Sequence, residues 1–352
     1  MYQISNFKLA QGLSIFIALS GFALEANAQA FFSQPKTFTL TRSCSATTSI
    51  SGSNPISISS GTALRAVGEN NTPGTHAYVE GSGFSGRRWM ALSCGTYGTP
   101  TVGGGTGGGV TLPPGTGVFF DNVNNPVSGL AYGSPADATP VAPILNSFDN
   151  AVNTLCGAPG TVVSPTSFKT LLNNNPTVLA NIKSGLGGFL VSGRTSTTAF
   201  LDDLANVWFV AKGFDHVICG EPSLGGSIGG LHFYGRYLEL QQKGLAGRLV
   251  NNTSREEVIP GAVYTMGVKM KVGSGFAQSS VKGYGYTLNA EEILTIVAKA
   301  YKTNPNTSGT SQACHLQVTD NGKTFTTVFV AKSGGIRTFY PDATPGSNSI
   351  CR

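Results

Sequence analysis

Along residues 29–98 short apolar runs alternate with serine- and threonine-rich ones, as in TFTLTRSCSATTSISG, ISISSGTALRAVG and RRWMALSCG. This is the period-two pattern of strands, and it predicts a small all-β module. The pattern then stops. GTYGTPTVGGGTGGGVTLPPGTG, residues 95–117, carries no charge and repeated glycines, a composition that reads as a flexible linker. We expect a Gly/Pro-rich linker over 99–140 and a second domain over 141–352.

In the second domain the apolar spacing changes. Leu145, Phe148, Val152 and Leu155 recur at steps of three and four, and Ser164-Pro165 has the form of a helix cap followed by proline in the first turn. From Leu231 to Lys243 the residues Phe233, Tyr237 and Leu240 share a helical face that stops at Gly244, which places His232 in a helix's first turn. VYTMGVKMKV, residues 263–272, alternates: Tyr264, Met266, Val268, Met270 and Val272 point one way, Lys269 and Lys271 the other. Asn289 caps the helix AEEILTIVAKAYK, whose Glu291 and Glu292 lie at its start and Lys299 and Lys302 at its end, matching the helix dipole. The chain closes in a meander: CHLQVTD, the turn Asn321-Gly322, KTFTTVFVAK, the turn Ser333-Gly334-Gly335, then IRTFYP. In the last strand Thr338 and Tyr340 share a face and could hold a planar ligand. The predicted class is α+β, with helices packed on antiparallel sheets around an open groove, preceded by the β module.

Composition adds a setting. The 352 residues exceed what one core usually organises, so two folded units are expected. Only 11% of residues are charged and 47 are glycine, a flavour of exported proteins. Residues 1–28 read as a secretory leader: Lys8, the apolar run LSIFIALSGFAL, then Ala26-Asn27-Ala28 as a small-x-small cleavage site. That run is far shorter than the ~20 residues a spanning helix needs, so no membrane association is expected after cleavage, and the location is secreted or periplasmic.

The six cysteines, Cys44, Cys94, Cys156, Cys219, Cys314 and Cys351, suit disulfides, with Cys44–Cys94 one candidate pair inside the β module. No CxxC spacing exists. Cys219 is three residues from His216, which on an extended segment puts the two side chains on opposite faces, so a bridged or buried cysteine is expected there. The net charge of +6 suits a polyanionic partner, but no Lys/Arg block supports it.

GFDHVICGEPSLGGSIGGLHF, residues 213–233, holds two of the four histidines. Imidazole titrates near neutrality, so such a pair can divide proton donation and acceptance between them. His76 and His315, each isolated, are expected to be structural. Together with Asp215-His216 and His232, Lys282 in SVKGY and Thr338-x-Tyr340 in RTFYP form an ordered set that resembles the EndoU endoribonucleases, including the family's viral, uridylate-specific branch. There a histidine follows an aromatic-acidic pair and precedes Gly-acidic. A second follows about sixteen residues later in Gly-Gly-Leu-His or a relative, then a lysine after a Ser-rich strand, then Thr-x-Tyr-Pro. The likeness covers about residues 145–352 and leaves the β module outside it.

The resemblance implies an RNA endonuclease that cleaves 3′ of uridines through the ribose 2′-hydroxyl, leaving 2′,3′-cyclic phosphate ends, with single-stranded RNA as partner. Such chemistry needs a base for the 2′ proton, an acid for the leaving 5′-oxygen and a fixed cation. We assign His232 as base, kept neutral by a helix N-terminus whose N–H groups from Gly230 onward can face a phosphate. His216 is the acid, its charged form favoured by the flanking Asp215 and Glu221. Lys282 is the cation, with Lys269 and Lys271 as rivals. By the resemblance, Thr338 would bond the uracil edge and Tyr340 pack on base or ribose, while Tyr286 and Thr287 compete for a further base contact.

Some relatives respond to manganese. No Asp/Glu/His set here has ligand spacing, so we expect cleavage without a required cofactor. Use as a toxin, with an immunity protein as partner, and use as a scavenging nuclease both fit. Two rival functions remain: a non-catalytic secreted RNA- or surface-binding protein, and a thiol hydrolase built on Cys219.

Overall fold

Alternating residues build the N-terminal sheet, in the order β6-β5-β4-β1-β7 and antiparallel throughout. Its strands are β1 (Ala30–Leu40), β4 (Ala63–Glu69), β5 (His76–Glu80), β6 (Arg88–Ala91) and β7 (Gly95–Gly98), with β2 (Cys44–Ala46) and β3 (Ile56–Ile58) forming a separate hairpin. Phe38, Leu64, Val79 and Met90 fill its own core, and Cys44 bridges Cys94. The computed structural model describes residues 30–71, 74–81, 84, 86–98, 110–121, 126–127, 136–137, 139–250, 257–346 and 349–352. The leader expected over 1–28 and the glycine triplets lie outside the described residues.

The expected linker is folded at both ends. Gly95–Gly98 is itself strand β7, and β8 (Thr116–Gly117) adds an edge to a sheet of the second domain. Phe119 and Phe120 are buried in that domain's core, their N–H groups donating to Gln241 Oε1 at 2.5 and 3.0 Å. The glycine content hid this: two adjacent aromatics suffice to anchor a segment whose remaining residues only turn. Further along, β9 (Pro126–Val127) pairs with β10 (Ala136–Asp137).

The helices that follow form one layer: α1 (Ser147–Cys156), α2 (Pro165–Asn173), α3 (Pro176–Gly185) and α4 (Thr197–Phe209). Asn146 closes a capping box with Asp149, and Ser164 caps α2 with Pro165 at its start. Then come the hairpin β11 (Glu221–Pro222) and β12 (Ile228–Gly229), helix α5 (Tyr234–Gln242), and a sheet of β13 (Ala246–Leu249), β14 (Glu257–Ile259), β15 (Val263–Val272) and β16 (Gly275–Gly285). Helix α6 (Ala290–Thr303), capped by Asn289, leads to the meander β17 (Gln312–Asp320), β18 (Lys323–Lys332) and β19 (Gly335–Pro341). Cys314 bridges Cys351, and Cys156 bridges Cys219.

The β module is seated on the second domain through buried charge. Arg87 reaches Asp320 at 2.7 Å and Glu292 at 3.0 Å, and donates to Thr287 O at 3.1 Å. Arg65 pairs with Glu80 and donates to Tyr286 O at 3.2 Å. These contacts take up the positions expected to read a base. Tyr286 donates from its hydroxyl to Val141 O, and Thr287 is buried, so neither lines the cleft described next.

Candidate active site

Residues 215–232 fold back on themselves, and this brings the two histidines together. Asp215–Cys219 forms a single π-helical turn, a distortion common at functional sites, where the sequence suggested an extended segment. Gly220, at φ +81°, turns the chain into the β11–β12 hairpin, which pairs Glu221 with Gly229. The returning strand is locked by backbone bonds from Leu231 N to His216 O and from His232 N to Val217 O, both 2.8 Å. Gly230 makes the approach possible, because a Cβ there would lie 1.6 Å from the His216 carbonyl oxygen. Leu231, buried at φ +73°, is a non-glycine residue in the left-handed region immediately before His232, a strained position of the kind found at functional sites.

The same bonds correct an expectation. The N–H groups of Leu231 and His232 are already used, so they do not face a phosphate. Helix α5 begins at Tyr234, so His232 stands before the helix and not in its first turn.

The two imidazole centroids are 6.2 Å apart. His232 Nδ1 lies 2.8 Å from Gly283 O, and a carbonyl can only accept, so Nδ1 carries the proton and Nε2 keeps its lone pair. Burial lowers the His232 pKa to about 3, the Gly283 bond opposing it and the positive charges of Lys282 and His216 adding to it. Burial therefore keeps this ring neutral, in place of the helix terminus inferred from sequence.

His216 Nδ1 lies 2.6 Å from Glu221 Oε2, and Arg337 Nη2 holds that same oxygen at 3.0 Å. Burial would push the Glu221 carboxyl up, but the bonds from His216 and Arg337 hold it down at about 2. An ionised carboxylate accepts, so His216 donates through Nδ1 and presents Nε2 outward. Asp215 plays no part in this: it is buried and accepts from Val163 N at 3.1 Å, tying the π turn to the segment before α2.

Strand irregularities aim the remaining groups. Met266 pairs with Lys282 but Val268 pairs with Ser279, so β16 carries one extra residue just before Lys282. On β19, Val330 pairs with Thr338 and Ala331 with Ile336, which leaves Arg337 as the bulged residue beside Thr338. Alternation alone would have sent Arg337 to the face opposite Thr338, and no sequence signal marks the bulge. Arg337 is thus the site residue that sequence reasoning missed.

A cleft of about 410 Å³ is lined by His216, His232, Lys282, Gly230, Thr338 and Tyr340. Glu221 stands behind His216 and does not line it. Tyr340 lies 5.5 Å from the His232 ring between centroids, and Thr338 Oγ1 is buried with no hydrogen-bond partner among the described residues. Burial lowers the Lys282 pKa. The rival lysines sit elsewhere: Lys269 donates to Pro114 O and covers the Phe276 ring, and Lys271 is exposed. Among the isolated histidines, His315 Nε2 meets Asp342 at 3.0 Å and His76 Nδ1 meets Thr75.

Every cysteine is paired, which leaves Cys219 without a nucleophilic thiol. Among the described residues no group of three His, Cys, Asp or Glu comes together that could hold a metal ion. No helix among the described residues is long and apolar enough to cross a membrane.

Residues 210–343 match the family model described as bacterial EndoU nuclease. Among solved structures the chain is similar to endoribonuclease Nsp15 encoded by Middle East Respiratory Syndrome Coronavirus, at 17% sequence identity and a TM-score of 0.28. That match covers 40% of this chain and 37% of the viral one, so this chain spans little more than a third of its relative. No curated protein matches. The segment that matches the bacterial EndoU nuclease model contains both histidines, Lys282, Thr338 and Tyr340.

Proposed function

We propose that this chain is a secreted RNA endonuclease that cleaves 3′ of uridines by attack of the ribose 2′-hydroxyl on the adjoining phosphodiester. The observation that carries the reading is the pair of imidazoles, 6.2 Å apart in one cleft, each with Nδ1 engaged from behind. With both Nδ1 atoms committed, two Nε2 atoms remain to flank a phosphate. His232 Nε2 accepts the 2′ proton as the 2′ oxygen bonds to phosphorus. His216 Nε2 delivers a proton to the departing 5′ oxygen, giving a 2′,3′-cyclic phosphate and a 5′-hydroxyl. Lys282 balances the charge that builds on the phosphoryl oxygens, a contribution of about 3 to 4 kcal/mol where one such donor has been removed elsewhere.

Uridine preference is supported by the unpartnered hydroxyl of Thr338 beside the Tyr340 ring, which suits one polar edge and one face of a base. Export is supported by the leader read in residues 1–28 and by three disulfides. The test is incubation of purified protein with a uridine-containing oligonucleotide, in EDTA, with end-group analysis. Cyclic phosphate 3′ of uridines is expected, and His216→Ala and His232→Ala each abolish it. Histidine variants that cut as fast as the parent, or RNA that is bound but never cut, would refute the reading.

A further inference from the structure

On the far side of Glu221 lies a second cavity of about 370 Å³, lined by Lys212, Glu221, Lys332 and Arg337 among others. It shares none of its lining with the histidine cleft, yet the Glu221 carboxylate that walls it is the one bonded to His216. Three cations face a single carboxylate there, and that carboxylate is already committed to His216 and Arg337. Lys212 is exposed, at the φ +58° turn after α4, and Lys332 is half-buried at the tight β18–β19 turn. Neither ammonium has an ion-pair partner among the described residues. Lys212 is felt by the buried Asp215, yet three cations against the one carboxylate that lines the cavity leave an excess of positive charge in a concavity, the electrostatic footprint of an anion.

We infer that this cavity is the subsite for the phosphate on the 3′ side of the cleaved bond, the one carried by the departing strand. The inference rests on the nuclease reading and follows from the direction of the reaction. Attack and departure occur on opposite sides of phosphorus, so the nucleoside that supplies the 2′-hydroxyl lies with His232, where Thr338 and Tyr340 also stand. The departing 5′ oxygen leaves past His216. Beyond His216 stands Glu221, and beyond Glu221 the basic cavity. The departing nucleoside bridges the His216 edge, and its own 3′ phosphate meets Lys212 and Lys332. Glu221 separates the two anionic positions, and Arg337 neutralises it so that it does not repel the second. The site thus reads charge and not sequence downstream of the cut.

The experiment compares uridylyl-3′,5′-adenosine, with one phosphate, and the same dinucleotide extended by one 3′ adenylate, with two. The quantity read is the ratio of their kcat/KM values at low salt. In the parent the longer substrate is expected to be better by on the order of tenfold, about fivefold per exposed cationic contact at most. In the double variant Lys212→Ala, Lys332→Ala that ratio falls toward one, and its dependence on salt flattens. Lys271→Ala, on an exposed strand face away from both cavities, keeps the parent ratio. A parent that cleaves both substrates with a ratio near one, or a double variant that keeps the parent ratio, overturns the subsite while leaving the nuclease reading intact. A parent that cleaves neither overturns both.

Discussion

Gly230 lies against His216 so closely that a Cβ on the glycine would fall 1.6 Å from the histidine's carbonyl oxygen. The contact is backbone to backbone, and Gly230 also sits at φ +60°, so no rotamer change relieves it. Gly230→Ala must therefore push the His232 strand away from the His216 turn. A displacement near 1 Å costs about a hundredfold in rate when reacting groups are held in position. We expect kcat/KM on RNA to fall by about that factor while the folded spectrum remains. A variant with parental activity would show that the pairing of the histidines does not depend on this contact.

The order Arg337, Glu221, His216 makes a second test. Glu221→Gln keeps an acceptor for Nδ1 but removes its charge, and Arg337→Gln frees the carboxylate to swing away. Both act on the proposed proton donor, so on uridylyl-3′,5′-adenosine, which places no phosphate in the second cavity, kcat should drop with KM little changed, by about a hundredfold for Glu221→Gln and less for Arg337→Gln. A rise in KM with kcat preserved would make them substrate contacts.

The helices, the meander and the paired face of Thr338 and Tyr340 were legible because each rests on local periodicity, a cap or a turn dipeptide. Asn146, Ser164 and Asn289 cap where their side chains predict. What escaped is non-local. The bulge at Arg337 arises from the register of β18 against β19, and the burial of Asp215 from the segment before α2. The apparent linker misled because glycine content speaks for the turns, while two phenylalanines decide where the segment docks. The neutrality of His232 was expected for the wrong cause, since burial is a property of the assembled cleft and not of neighbours in sequence.

That burial gives a pH prediction. The His232 ring takes a proton near its ordinary pKa of 6.5 when unfolded but only near 3 when folded. Between those values unfolding binds a proton, so the stability tied to the neutral ring is complete above 6.5 and is lost as pH falls toward 3. The urea midpoint of the parent should decline over that window more steeply than that of His232→Gln. In kinetics, His232 as the proposed base should show no acid limb of kcat/KM at 6.5, its pKa being lowered to about 3. Equal slopes for parent and variant would place the ring in water.

Cys156–Cys219 joins the end of α1 to the π turn that carries His216, across a separation of 63 residues. A loop of that size corresponds to about 4 kcal/mol of chain entropy removed from the unfolded state. Replacing both cysteines with alanine should lower stability by roughly that amount and weaken cleavage. Alkylating reagents without reductant should leave activity untouched, because every cysteine is paired. Inactivation by alkylation alone would restore the thiol hydrolase to consideration.

The last prediction concerns the β module. Arg87 is buried where the module meets α6 and the β17–β18 turn, with Glu80, Glu292 and Asp320 around it. Removing one member of a buried ionic group strands the charges left behind, which typically costs about 3 to 5 kcal/mol. Arg87→Met keeps the apolar stem and removes only the guanidinium, so a loss of that size would belong to the charge and not to a cavity. If the cluster is what seats the module, this variant should also turn a single thermal transition into two, because the module has a hydrophobic core of its own. One unshifted transition would mean that contacts outside this cluster, such as the bond from Arg65 to the Tyr286 carbonyl, hold the interface.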